Sequence, residues 1–173
     1  QGIEGALYQM LNHGLSTGAL FLIVGMIYER RHTRLIDDFG GLWKQMPLFS
    51  AFFLVITLSS IGLPGLNGFV GEFLILLGAF QKTPFWAAGA ATGMILGAIY
   101  MLWMFRRVVF GPLDRVENQK LKEIGAREVV MLAPLVALII FMGIYPQPFL
   151  SRMRSSVELV LYRIDAKGDR RQA

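Results

Sequence analysis

Residues 47–80 read PLFSAFFLVITLSSIGLPGLNGFVGEFLILLGAF, and two features of this stretch decide the reading of the chain. It is almost wholly apolar, with Glu72 as its one charged side chain. It is also interrupted at Gly62-Leu63-Pro64-Gly65, with Gly68 and Gly71 close behind. As one helix it would run about 50 Å, too long for one straight crossing of a roughly 30 Å hydrocarbon core and too short for two. Pro64 has no N–H to give to a helix, and the glycines weaken it locally. The expectation is one discontinuous membrane helix, broken near residues 62–68. Unwound backbone survives at membrane depth only when packed in protein or lining a hydrated cavity, and transporters place binding sites at such breaks.

Working outward, the remaining sequence fits the same solvent. Apolar residues make up 54% of the chain and charged residues 17%, well below the usual quarter. No Asp, Glu, Lys or Arg occurs in Leu15–Met26, Leu48–Gly71, Phe85–Phe105 or Val129–Tyr145. Soluble helices of that length would carry a polar face. The fold class expected is all-α, a polytopic transmembrane bundle with segments at about 3–28, 47–80, 84–110 and 129–145 within residues 1–150. A basic tail follows at 151–173, expected as a short interfacial helix with a frayed end. In the third segment Gly89, Gly93 and Gly97 fall four apart, a small-residue face suited to close approach of another helix.

Charge sets the expected topology. The two connectors, 29–46 and 106–128, lie on one side of a four-span bundle and carry Arg30, Arg31, Arg34, Lys44, Arg106, Arg107, Arg115, Lys120, Lys122 and Arg127. The positive-inside rule makes them cytoplasmic, or the equivalent side of an organelle, with the C-terminus outside. Gly40-Gly41 marks a turn in the first connector. Because the cations cluster at segment ends, the net charge of +5 does not point to nucleic acid. The absence of cysteine excludes disulfides, thiolate metal sites and cysteine nucleophiles. With two histidines and no acidic cluster, no metal site is expected. There is no signal-peptide pattern at Gln1-Gly2, and the chain starts directly in a helix-like run, so it reads as the C-terminal piece of a longer protein.

Two residues carry the candidate chemistry. Glu72 lies about two helical turns beyond Pro64, where an ionised carboxylate costs several kcal/mol and is rarely present without a role or a partner. It reads either as a proton carrier or as a structural carboxyl hydrogen-bonded to a neighbouring helix. His13 can pass a proton through either ring nitrogen or serve as a neutral hydrogen-bonding residue. It sits in a stripe, Gln9, Asn12, His13, Ser16 and Thr17, whose spacing draws one polar face on a helix. That face must meet other helices or water, either supporting a water chain or holding helices together. His32 lies in a basic connector and reads as solvated.

Several stretches together resemble a known family: QGIEGALYQMLNHGLSTGALFLIVGMIYERRHTR, the FGGL that follows, GLPGLNGFVGEFLILLGAF and GIYPQPFL. They are similar, in order and spacing, to the subunit M family of respiratory complex I (NADH:quinone oxidoreductase), the counterpart of mitochondrial subunit 4. The resemblance covers nearly all of the chain and is weakest in the tail and around Glu117 to Gly125. It implies an antiporter-like fold of fourteen transmembrane helices, of which these would be the last four. It implies that Glu72, in GFVGEF, is the glutamate of the broken twelfth helix, and that His13, in QMLNHGLS, is the histidine of the eleventh. Sister subunits and related cation/proton antiporter subunits typically carry lysine at the Glu72 position, so Glu72 favours subunit M. The implied role is the outward half of a proton channel, with no redox chemistry in this chain. FMN, iron–sulfur clusters and quinone would sit elsewhere in the complex. The implied partners are the lipid bilayer and the other membrane-arm subunits, above all the sister antiporter-like ones. The implied location is a bacterial inner membrane, or alternatively the mitochondrial inner membrane. The glutamate and lysines that such a channel needs in earlier helices are not in this sequence. A subunit of a Na⁺/H⁺ antiporter or of a membrane-bound hydrogenase-type complex is the alternative, and a purely structural bundle is the third reading.

Overall fold

The computed structural model describes residues 1–169, and among these the fold is all-α. Its long helices are α1 (Gly2–Arg31), α3 (Pro47–Ser60), α4 (Asn67–Lys82), α5 (Pro84–Phe110), α7 (Ala126–Ile144) and α8 (Gln147–Asp169). Two single turns, α2 (Leu42–Gln45) and α6 (Val116–Gln119), and a 3₁₀ turn at Ile36–Asp38 lie in the connectors. Three helices, α1, α5 and α7, are each long and apolar enough to cross a membrane. The discontinuous helix is present as α3 and α4, separated by residues 61–66.

Local sequence explains the boundaries. Prolines 47 and 84 start α3 and α5, where a missing N–H costs nothing. Arg30 and Arg31 close α1, where cations suit the negative end of the helix dipole. The Gly125 N–H donates to Glu128 Oε2 (2.7 Å), which steadies the first turn of α7. The tail differs from the short helix expected: α8 starts at Gln147 and runs 23 residues. Pro148, at its second position, is tolerated there because a first-turn N–H has no partner within the helix anyway. The frayed end expected for the tail falls in part beyond the described residues.

α1 packs antiparallel along the whole broken helix. Gly2 meets Gly78, Gly5 meets Leu74, Gly71 meets Gln9, and Ser16 meets Ser59. At Gly71 an added Cβ would overlap Gln9 Oε1, and at Gly78 it would overlap Gly2, so these backbones approach as only glycine permits. α7 lies against α1 in the opposite sense. The Tyr8 hydroxyl donates to the Met142 carbonyl (2.7 Å) at one end, and Arg30 pairs with Glu128 at the other. α5 rests mainly on α4, and its Phe105 ring packs on Phe53 with centroids 5.1 Å apart. The Gly89/Gly93/Gly97 face is not used for helix packing among the described residues. A Cβ at Gly89 or Gly93 would meet nothing within 4 Å.

The two connectors meet at one end of the bundle. Arg31 donates to Asn118 Oδ1 (2.8 Å), Asn118 donates to the Asp38 carbonyl (3.1 Å), and Arg107 pairs with Asp37. The Glu123 carboxylate accepts from the Leu48 and Phe49 N–H groups (2.7 and 3.1 Å), supplying the anionic cap that α3 lacks in its own sequence. Arg30 grips both oxygens of Glu128 (2.6 and 2.7 Å), with each side chain only 19% exposed. This fork geometry, largely out of water, makes the pair the main polar tie between α1 and α7. Arg30→Ala and Glu128→Ala are each expected to cost about 2 kcal/mol, and the double variant less than the two costs added. Thermal denaturation of the detergent-solubilised protein through the full mutant cycle measures the coupling. Simple additivity would show that the pair contributes nothing.

Candidate functional site

The break between α3 and α4 is built from two turns. Gly62, at φ +72°, ends α3, with its N–H on the Ser59 carbonyl (3.2 Å) and the Leu63 N–H on the Leu58 carbonyl (3.0 Å). This crossed pair is the Schellman closure that glycine favours. Leu63 to Leu66 then form a second turn, with Leu66 N–H on the Leu63 carbonyl (3.0 Å), Pro64 second and Gly65 third at φ +94°. Proline followed by a positive-φ glycine is the signature of a type II turn. The chain re-enters a helix at Asn67, and Glu72 is the sixth residue of α4. At about 1.5 Å per residue, that places it roughly 15 Å from Lys82 at the helix end, near the middle of a hydrocarbon core.

Polar side chains from α1 and α3 converge on this point. Ser59 donates to Asn67 Oδ1 (2.6 Å), so its 2.7 Å bond with Ser16 has Ser16 as donor. Asn12 donates from Nδ2 to the Asn67 carbonyl (2.7 Å) and to Gln9 Oε1 (3.1 Å). Gln9 in turn donates from Nε2 to Glu72 Oε1 (3.4 Å). Asn12, Ser16, Ser59 and Asn67 are all buried. The second carboxyl oxygen, Oε2, is out of solvent contact and has no hydrogen-bond partner among the described residues. It lies against Gly62, where a Cβ would overlap it. Beyond it, a recess of about 380 Å³ opens between α3–α4 and α5, lined in part by Ser60, Gly93, Gly97 and Tyr100.

The polar stripe of α1 therefore divides. Gln9, Asn12 and Ser16 turn inward to the break, while His13 is exposed and bonds through Nδ1 only to the Thr17 hydroxyl (3.1 Å). The structure does not bring His13 to Glu72. A polar pair on an exposed face at this depth needs a protein or water neighbour. Ser59 and Asn67 belong to the Glu72 network and are not among the candidate residues that sequence reasoning selected. The available signal was their position, one just before the break and one just after it. His32 caps α1 in the left-handed conformation at φ 52°.

With this geometry in view, residues 1–99 match the family model described as NADH:quinone oxidoreductase/Mrp antiporter, transmembrane. The chain is 49% identical over 157 residues to NADH-ubiquinone oxidoreductase chain 4 of Marchantia polymorpha, covering 91% of this chain and 32% of that protein. It is 49% identical over 146 residues to NADH-quinone oxidoreductase subunit M of Rhodobacter capsulatus, covering 84% of this chain and 28% of that protein. Its fold matches a chain of respiratory complex I from Thermus thermophilus with a TM-score of 0.76 at 36% identity, over 83% of this chain and 30% of that one. The chain thus spans about a third of the length of the curated relatives it matches.

The network separates two kinds of hydrogen bond. Ser16 can be lost with Ser59 still bound to Asn67, whereas Asn12 is the side chain that bonds to the Asn67 carbonyl. Asn67 is the first residue of α4, so its carbonyl also accepts within the helix, and each loss is that of a side-chain bond, on average about 0.6 kcal/mol between helices in membranes. Asn12→Leu, which loses two bonds, should therefore destabilise by about 1 kcal/mol, and Ser16→Ala, which loses one, by about half that. Thermal denaturation in detergent ranks the two, and the reverse order would refute this account of the break.

Proposed function

Because the chain belongs to the NADH:quinone oxidoreductase/Mrp antiporter membrane family, we propose that it forms the outward half of a proton channel in the membrane arm of a complex I-type enzyme. In this reading Glu72 is the terminal proton acceptor and donor of the channel. One observation carries it: the sole charged side chain between Leu48 and Phe80 stands beside a break in a membrane helix, its carboxyl touched by one amide and otherwise free of polar partners. Burying a carboxylate in hydrocarbon is costly. A structural carboxyl would be expected to satisfy both oxygens, and here one oxygen is left open.

The remaining assignments follow from the same reading. His13 and Thr17 face the helices of the longer protein and pass protons towards the break from lysines carried there. The connectors lie on the cytoplasmic side or its organellar equivalent, and the membrane is the bacterial inner membrane or the mitochondrial inner membrane. Redox chemistry belongs to partner subunits that carry FMN, iron–sulfur clusters and quinone, and the lateral partners are sister antiporter-like subunits. Glutamate rather than lysine at position 72 supports the complex I assignment over a Na⁺/H⁺ antiporter.

Glu72→Gln keeps the shape of the side chain and removes its titration. In the reconstituted whole complex it should lower the protons pumped per NADH oxidised by at least the share of this one channel among its sister subunits. An unchanged ratio would defeat the proposal, and pumping that required sodium would favour the antiporter reading.

A further inference from the structure

The two oxygens of Glu72 face different chemistry. Oε1 accepts from the Gln9 amide, and from Gln9 the bonds lead on through the Asn12 amide to the Asn67 backbone carbonyl. An amide donates through N–H groups that do not titrate at any physiological pH. To relay a proton it would have to pass through its disfavoured imidic form. That side of the carboxyl is built to hold it and not to deliver protons to it. Oε2 faces the other way, against Gly62 and towards α5. The point where a Cβ of Gly62 would overlap Oε2 also lies 3.6 Å from Met94 Cε, and Met94 lines the recess between α3–α4 and α5.

We propose that Glu72 exchanges its proton through Oε2 alone, and that this recess is the hydrated port that serves it, with Met94 as its movable cover. The inference rests on the reading of Glu72 as a proton carrier and adds the route. At about 380 Å³ the recess has room for several waters, each occupying about 30 Å³ in the liquid. Ser60 and Tyr100 line its wall; Ser60 donates its hydroxyl to the Ile56 carbonyl (2.9 Å) and keeps its oxygen to accept, and a tyrosine hydroxyl both donates and accepts. Gly93 and Gly97 keep it open, which gives these two glycines of α5 a purpose that helix packing within the chain does not. Met94 is unbranched and flexible, so a rotamer change suffices to expose Oε2. In the transfer, the Oε2–H bond breaks as a water of the recess takes the proton. The electron pair stays on the carboxylate, which Gln9 keeps in place, and the return step reverses both changes. No other bond alters.

The test uses the whole complex reconstituted in vesicles. Gly93→Leu fills the recess without meeting another atom of the chain within 4 Å of its Cβ. It should lower protons pumped per NADH to the level of Glu72→Gln. Gly89→Leu, one turn away and outside the recess, should pump normally. Water access is read separately with a charged, water-soluble maleimide and mass spectrometry of the peptides of this chain, whose 173 residues hold no cysteine. Gly97→Cys, in the recess, should be labelled. Leu96→Cys, on the exposed apolar face of α5, should not be. Normal pumping by Gly93→Leu, or no labelling of Gly97→Cys beyond that of Leu96→Cys, would overturn the port. If Gly93→Leu fails to assemble, the labelling comparison decides alone. A loss of pumping in Glu72→Gln with normal pumping in Gly93→Leu would remove the port and leave Glu72 as the carrier. Normal pumping in Glu72→Gln would remove both.

Discussion

Hydrocarbon offers no hydrogen bonds, so every backbone N–H and C=O that leaves a helix at membrane depth must be paired within the protein. Residues 61–66 leave one, and the arrangement of the other helices follows from that. Gly62 and the Pro64-Gly65 turn pair what can be paired locally. Asn12 on α1 bonds to the Asn67 carbonyl and so holds the first residue of α4 in place, and Gly143 on α7 lies so close to the Gly65 carbonyl and Leu66 that a Cβ there would overlap them. The break is thus closed from two sides, and the glycines along α1, α4 and α7 are what let those sides come near enough.

Closing the break also fixes the carboxylate. Glu72 follows Asn67 by five residues on α4, so anything that sets Asn67 against α1 sets Glu72 against Gln9. The bonds that do this are neutral. The charged ties lie at the helix ends, in the Arg30–Glu128 fork and the Glu123 cap on α3 at the connector end and in the Arg154–Glu4 pair (3.5 Å) at the other. Charge is placed where water screens it, and at membrane depth the bundle is held by amides, hydroxyls and close-packed glycine.

Sequence reading reached the break and Glu72 because both are local signals: proline and glycine weaken a helix wherever they stand, and one carboxylate in a long apolar run is visible in any fold. The shared end of the two connectors was legible from charge placement in the same way. The stripe on α1 was not fully legible. Successive helical residues differ by about 100° in direction, so Asn12 and His13 can share a stripe and still look at different neighbours. Which neighbour each meets depends on packing, and that is why Ser59 and Asn67, across the interface, went unselected. The glycine run of α5 shows the same limit, since small residues permit a close helix or a cavity and spacing cannot distinguish them.

The contrast between charged helix ends and a neutral middle bears on the electrostatics of Glu72. No salt bridge to Glu72 exists among the described residues, whose ion pairs lie at the helix ends. A carboxylate without a counter-ion, in a medium of low dielectric, feels charges well beyond contact. At an effective dielectric near 20, a unit charge 10 Å away changes its energy by roughly 1.7 kcal/mol. That exceeds the average worth of an interhelical side-chain bond, about 0.6 kcal/mol, such as the long 3.4 Å contact with Gln9. A unit charge at that distance would therefore outweigh the local tether. The neutral network fixes where the carboxyl sits and sets no counter-charge beside it among the described residues.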